Sequence, residues 1–289
     1  MLRIKGGALR QKPSVLLYEY EAVCGASDAN LPETYTIPKE RIPDCRDQKG
    51  TMQCVAFSTT NILQILNEIE TGKRKRFSTT YVYGKHRGPL MKDVEGMYTS
   101  EALSHLRKLG SVDEKDMPEL LEVPEAYEKA QNRPDLDEKA EPYKIASYCR
   151  FTKREDIKKA LYKYNYPILG VMDTNWTGSH AVCLVGWNKE GFIFMNSWGE
   201  EFGNKGIGEM KYTDLKEAYL MLDAKNTVKT PFVDVEGHWG QDAIEHCYKA
   251  GLVNGVDKTH FEPDRALTRA EICQILYNFA KKQESGELK

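Results

Sequence analysis

The change of hydrophobic period along this chain narrows its fold more than any other feature. Across residues 54–69, Val55, Ile62, Leu63, Leu66 and Ile69 recur at helical spacing, and Gly72 follows where such a helix would stop. Residues 100–109 repeat the pattern, with Leu103, Leu106 and Leu109 on one side and Gly110 behind them. Later, residues 180–187 and 192–196 are apolar runs joined by Asn188-Lys189-Glu190-Gly191, which predicts a strand hairpin. Helix-period and strand-period stretches in mixed order between about 31 and 225 predict an α+β domain.

The remaining segments flank or interrupt that domain. Residues 1–30 form a short extension with one candidate strand at 14–20, read either as a plain arm or as a pro-segment that blocks a cleft. Residues 113–141 hold eleven acidic residues against four basic ones, with three prolines. A solvated loop or surface layer is expected there, and a field favouring basic substrates is the alternative. Residues 226–283 form a separate small unit with two helix patterns around a turn, and 284–289 are a tail. In that unit Thr268 and Glu271 have capping-box spacing, with Ile272, Ile275, Leu276 and Phe279 as the apolar face that follows.

A chain of 289 residues has room for one large and one small domain. Its net charge of −2 gives no reason to expect nucleic acid, and no apolar run reaches the length of a membrane span. Near the N-terminus the longest apolar stretch, Val15-Leu16-Leu17-Tyr18, is too short for a signal-peptide core, so no export signal is expected. Seven cysteines without dense spacing suggest reduced thiols with one chemically active member. Cys45, Cys149, Cys183, Cys247 and Cys273 read as packing residues without metal-ligand spacing, and a Cys24–Cys45 bridge stays open. No metal and no organic cofactor is expected.

Cys54 is the candidate for the active thiol. It stands at the predicted start of a helix, where unpaired amides and the dipole favour a thiolate. Such a thiol needs a base that also returns a proton to a leaving group, which suits an imidazole. His180 opens an apolar strand directly after Gly178-Ser179, and the hairpin is expected to set Asn196 roughly opposite it. An amide there accepts from one ring nitrogen and turns the other towards the thiol. Gln48, six residues before Cys54, supplies a side-chain donor for an oxyanion, beside the Cys54 N–H.

Asp47-Gln48-Lys49-Gly50-Thr51-Met52-Gln53-Cys54-Val55-Ala56-Phe57-Ser58 resembles the nucleophile segment of papain-family cysteine peptidases. Ser179-His180-Ala181-Val182 and Asn196-Ser197-Trp198-Gly199 resemble that family's histidine and asparagine segments, 126 and 142 residues after the thiol. Leu31-Pro32-Glu33 is similar to the start of a mature domain, and Glu95-Gly96-Met97-Tyr98 to the glycine segment. The resemblance implies a two-lobed fold, with a helical lobe bearing Cys54 and a β-rich lobe bearing His180 and Asn196. It implies an endopeptidase working through a thioester on protein or peptide substrates. Gly96 would bind substrate backbone, Met97 would line an apolar pocket, and Trp198 would shield the His180–Asn196 contact. The sequence departs from the family at Thr51, where a cysteine is common, and at Phe202, where a tryptophan is common. Met52 and Gln53 are expected to put side chains beside the cleft.

Phe232-Val233-Asp234-Val235-Glu236-Gly237-His238-Trp239, Gly251-Leu252-Val253-Asn254-Gly255 and Thr268-Arg269-Ala270-Glu271 resemble a single S-layer homology module. Such modules usually act in threes on anionic cell-wall polymers, and Arg269 matches the residue that contacts the polymer. With one copy, wall attachment and a docking or oligomerisation role are both expected outcomes. The module points to a bacterial surface, while the missing export signal points to the cytoplasm or to release by lysis, as from a phage. Two alternatives to the peptidase remain at this stage: a hydrolase of peptidoglycan cross-links, and a non-catalytic surface or assembly protein of the same fold.

Overall fold

A computed structural model of the chain describes residues 8–9, 31–85, 95–174, 178–222, 231–235 and 238–284. The candidate strand at 14–20 and Cys24 lie outside the described residues.

The predicted first helix is the axis of one lobe. Helix α1 (Cys54–Thr71) is buried at every position from 54 to 67, so it is sheathed on all sides rather than on one face. It closes at Gly72, whose φ of 73° is the left-handed conformation that glycine adopts without strain, and whose N–H reaches Glu68 O at 2.8 Å. Ile69 lies past the covered stretch and is 39% exposed, so it does not join the core face expected of it. Against α1 pack α2 (Thr79–Lys85) and α3 (Thr99–Lys108). Leu103 and Leu106 of α3 are fully buried, whereas Leu109 is half-buried beyond the helix end.

The acidic stretch is more ordered than a solvated loop. It forms α4 (Val123–Ala130) and α5 (Pro134–Ala140), each with proline in its first turn, where the missing N–H costs nothing. Ala130, Leu136 and Ala140 close a small second core with Tyr81, Val112 and Met117. Apolar residues at helical spacing among the charges explain this, because one face buries while the carboxylates remain outside. Arg46, 3% exposed, ties the stretch to α1: it donates to Thr60 Oγ1 and Phe77 O, both at 3.2 Å, and pairs with Glu119 and Glu114.

The second lobe is an antiparallel sheet of β4 (Ser147–Arg150), β5 (Ile168–Thr174), β6 (Gly178–Trp187), β7 (Gly191–Met195), β8 (Ile207–Lys211) and β9 (Leu215–Leu222). Their order is β4-β9-β5-β6-β7-β8, and β2 (Tyr35–Thr36) adds to β6. The predicted hairpin is β6–β7, with a bulge between Leu184 and Gly186. Gly191 allows its tight corner, since a Cβ there would stand 1.7 Å from Met210 O. One apolar core runs from α1 into this sheet. Short β1 (Ala8–Leu9) pairs in parallel with β3 (Met97–Tyr98) at the helical lobe.

Helix α6 (Arg154–Tyr164) lies against β6, and near the C-terminus lie α7 (Gln241–Lys249) and α8 (Arg269–Glu284). The capping box forms as expected: Glu271 N–H donates to Thr268 Oγ1 at 3.2 Å, and Thr268 N–H to Glu271 Oε2 at 2.7 Å. The apolar face that follows does not bury. Ile272, Leu276 and Phe279 are 44%, 61% and 47% exposed, and among the described residues from 231 on the buried apolar side chains are Phe232, Val235 and Leu252, too few to cover that face.

Candidate active site

Cys54 is the first residue of α1, so its sulfur sits among first-turn amides. The side chain is fully buried, and Sγ accepts from the Ala181 N–H at 3.4 Å, 127 residues away. Ala181 directly follows His180 on β6, so the thiol is held at the residue next to the imidazole, where α1 lies against that strand. His180 Nδ1 is buried and has no hydrogen-bond partner among the described residues.

The other ring nitrogen is fixed. His180 Nε2 lies 2.8 Å from Asn196 Oδ1, within a buried pair. The register Cys183↔Met195, continued by one residue, sets Asn196 across from Val182, one same-face pair along from a position opposite His180. It reaches His180 as a diagonal neighbour on the same sheet face, within the span of an amide and an imidazole. Asn196 Oδ1 also accepts the Ser197 N–H at 2.8 Å, so the amide oxygen is doubly held. An oxygen acceptor at Nε2 keeps the proton on that nitrogen and leaves Nδ1 as the basic one.

Gln48 is fully buried, and its neighbour Ser197 was not singled out from the sequence. Ser197 Oγ donates to Gln48 Oε1 at 2.6 Å, and the Gln48 N–H reaches Ser197 O at 2.9 Å. With its oxygen pinned, the Gln48 amide has a defined nitrogen side, which donates to Thr51 O. Ser197 was legible only as the middle residue of Asn196-Ser197-Trp198, because its partner lies 149 residues away.

Trp198 stacks on the His180 ring at 4.5 Å between centroids and 27° between planes, and Phe202 meets Trp198 edge-on at 5.2 Å. This wall removes water from the imidazole. Burial pushes the His180 pKa down to about 4, against the upward pull of its bond to Asn196. The resting imidazole is therefore neutral.

Gly96 has φ of 89°, a conformation that favours glycine, and its N–H is committed to the Tyr83 hydroxyl at 3.0 Å. Met97 is 2% exposed, and its strand edge is taken by Ala8–Leu9, which also lie against β6. Gln53 does not stand open beside the cleft. It is fully buried, and its amide nitrogen donates to Leu120 O at 3.0 Å and Leu121 O at 2.9 Å. Arg269 stands exposed in the first turn of α8, apart from these residues. Cys45, Cys149, Cys183, Cys247 and Cys273 are in no disulfide among the described residues, and burial raises Cys183 to about 12.

Comparison with known proteins gives the same picture in both parts of the chain. The model of the S-layer homology domain matches residues 231–273. The chain is 30% identical over 95 residues to endo-1,4-beta-xylanase A of Thermoanaerobacterium saccharolyticum, a stretch that is 32% of this chain and 7% of that protein. It is 25% identical over 195 residues to mexicain of Jacaratia mexicana, covering 60% of this chain and 85% of mexicain. Among solved structures, xylellain, a cysteine protease from Xylella fastidiosa, superposes with a TM-score of 0.63 at 20% identity, over 77% of this chain and 97% of that one. The Carica candamarcensis cysteine protease CMS1MS2 in complex with E-64 gives 0.53 at 17%, over 67% and 99%. The model of the papain family of cysteine proteases matches residues 31–227, more than half of the chain, and the chain belongs to that family.

Proposed function

We propose that this cysteine peptidase cuts internal peptide bonds with Cys54 as nucleophile and His180 as acid and base. The observation that carries the reading is the 2.8 Å contact of His180 Nε2 with Asn196, beside a thiol held at the next residue's amide. The Cys54 thiol gives its proton to His180 Nδ1, and the thiolate attacks the substrate carbonyl carbon. The oxyanion is met by the Cys54 N–H and the Gln48 amide. The C–N bond breaks as the imidazolium protonates the departing amine, leaving a thioester. Water attacks that thioester with its proton passing to His180, and the thiolate leaves as the acid product forms. Asn196 orients the ring, Trp198 keeps water from it, and Gly96 and Met97 form the edge that receives substrate backbone.

Ala8–Leu9 act in this reading as a strand that occupies the cleft edge. Ala8 and Leu9 use the β3 edge that a substrate strand would use, and Cys54, Gln48 and His180 are fully buried. A dry site favours neutral thiol and imidazole, so the charged pair forms when the segment leaves and water enters. The C-terminal module is assigned to the cell surface, with Arg269 meeting carboxylate or phosphate of an anionic wall polymer. The uncovered face of α8 favours oligomerisation as a second role.

The test compares the full chain with Leu9→Pro, Cys54→Ala and His180→Ala on a peptide library, with labelling by a thiol-directed epoxide. Proline at 9 disfavours a paired strand there and should speed both cleavage and labelling. Labelling should be absent in Cys54→Ala and weak in His180→Ala. No cleavage by the full chain or by Leu9→Pro would refute the peptidase reading. Sedimentation with purified walls, stripped or not of anionic polymer, tests the Arg269→Ala variant.

A further inference from the structure

A cavity of about 250 Å³ opens beside the imidazole. His180, Asn196 and Trp198 line it, and no residue of α1 or β3 does. Three carboxylate residues border it: Asp173 at the end of β5, Glu209 on β8, and Asp214 in the following turn. Phe194 and Phe202 complete aromatic walls with Trp198.

The carboxylates are held in place rather than scattered. Ser179 Oγ donates to Asp173 Oδ1 at 2.9 Å, and the Asp173 N–H reaches Asp214 O at 3.1 Å, which clamps the two segments together. Asn188 Nδ2 donates to Glu209 Oε2 at 2.9 Å. Among the described residues no lysine or arginine is paired with Asp214 or Glu209. Nor do three such side chains converge closely enough among the described residues to hold a metal ion. Two buried donors in the same wall have no acceptor among the described residues: the Asn196 amide nitrogen, on a side chain 2% exposed, and the Trp198 indole nitrogen. Orphaned buried donors in a cavity wall call for an acceptor from outside the protein, such as a peptide carbonyl.

We propose that this cavity is the subsite for the residue just after the cut bond, and that it selects arginine or lysine there. The inference rests on the peptidase reading above, because it needs the leaving amine to depart on the imidazole side. The entering residue's carbonyl meets the orphaned donors. Its long apolar stem lies along the aromatic walls, and its cationic head reaches the carboxylates. Spread negative charge with flat aromatic surfaces suits a guanidinium or ammonium better than a neutral or acidic side chain.

The experiment uses the full chain and Leu9→Pro on quenched peptides that share one acyl half and differ at the residue after the cut: arginine, lysine, citrulline or glutamate. Each kcat/KM is divided by that same protein's value on an aminocoumarin amide of the same acyl half. Citrulline has the shape of arginine without its charge, so the ratio isolates the carboxylates. Arginine and lysine are expected to exceed citrulline about tenfold, with glutamate lowest and the gap shrinking in salt. Asp214→Asn should reduce the ratio, Asp173→Asn with Asp214→Asn should abolish it, and Asp214→Lys should raise glutamate above citrulline. Arginine and citrulline within about twofold, or a preference that survives the double substitution, would overturn the subsite. Absence of aminocoumarin release by both proteins would instead refute the peptidase reading, and this inference with it.

Discussion

Replacing Asn196 by alanine separates orientation of the imidazole from the rest of the site. Its side-chain oxygen accepts two buried donors, His180 Nε2 at 2.8 Å and the Ser197 N–H at 2.8 Å. Each donor left without a partner costs about 1–3 kcal/mol, so the variant melts lower than wild type. The effect on rate is larger in kind, because His180 becomes charged in the reaction. A hydrogen bond to a charged group is worth about 1.5–3 kcal/mol, which predicts a fall in kcat/KM of about 10- to 150-fold. The sign of the pH effect follows from the same contact. Accepting from Nε2–H favours the imidazolium and raises the His180 pKa, so its loss lowers that pKa further. Activity that needs the imidazolium is lost as pH rises through its pKa, so the alkaline limb moves to lower pH. Asn196→Asp, with a full charge in place of the amide, moves that limb the other way. The assay is kcat/KM against pH on an aminocoumarin peptide, with active sites counted by epoxide titration. An alanine variant within about threefold of wild type, with an unmoved alkaline limb, would refute the orienting role.

Two further outcomes follow from the same geometry. His180 takes up a proton near pH 4 in the folded chain and near 6.5 when unfolded, so between these values the unfolded state binds more protons. Stability therefore falls as pH drops from about 6.5 to about 4, by on the order of 3 kcal/mol, and His180→Gln should flatten that slope in denaturant titrations. Gly191→Ala would drive a Cβ to 1.7 Å from Met210 O, a backbone atom that cannot swing aside. It should cost more than about 2 kcal/mol and reduce epoxide labelling, because β7 carries Asn196 towards His180.

Much of this site was written in local patterns. A thiol at the start of a 54–69 helical period, an apolar strand opened by His180 and a hairpin ending at Asn196 each depend on neighbours within one element. Period and turn residues report such elements directly. The family's motifs then joined them at a fitting distance, and the family match over 31–227 agrees. The diagonal offset of Asn196 was not legible, since register depends on a bulge between Leu184 and Gly186. Ser197 on Gln48 was also invisible, as was the turn of Gln53 towards residues 120 and 121. These are contacts between residues far apart in the chain, and no local period encodes them.

The sequence by itself determined which residue types can do the chemistry, and on which kind of element each stands. It also determined that 54–69 and 100–109 are helical and that 180–187 and 192–196 are stranded, because backbone propensity and hydrophobic period act over a few residues. Only the tertiary structure decided that Ala8 and Leu9 lie along β3, that the acidic stretch folds into α4 and α5, and that α8 keeps its apolar face uncovered. Those outcomes depend on which surfaces are already occupied when a segment arrives. Occupancy is a property of the assembled core, and it has no period along the chain.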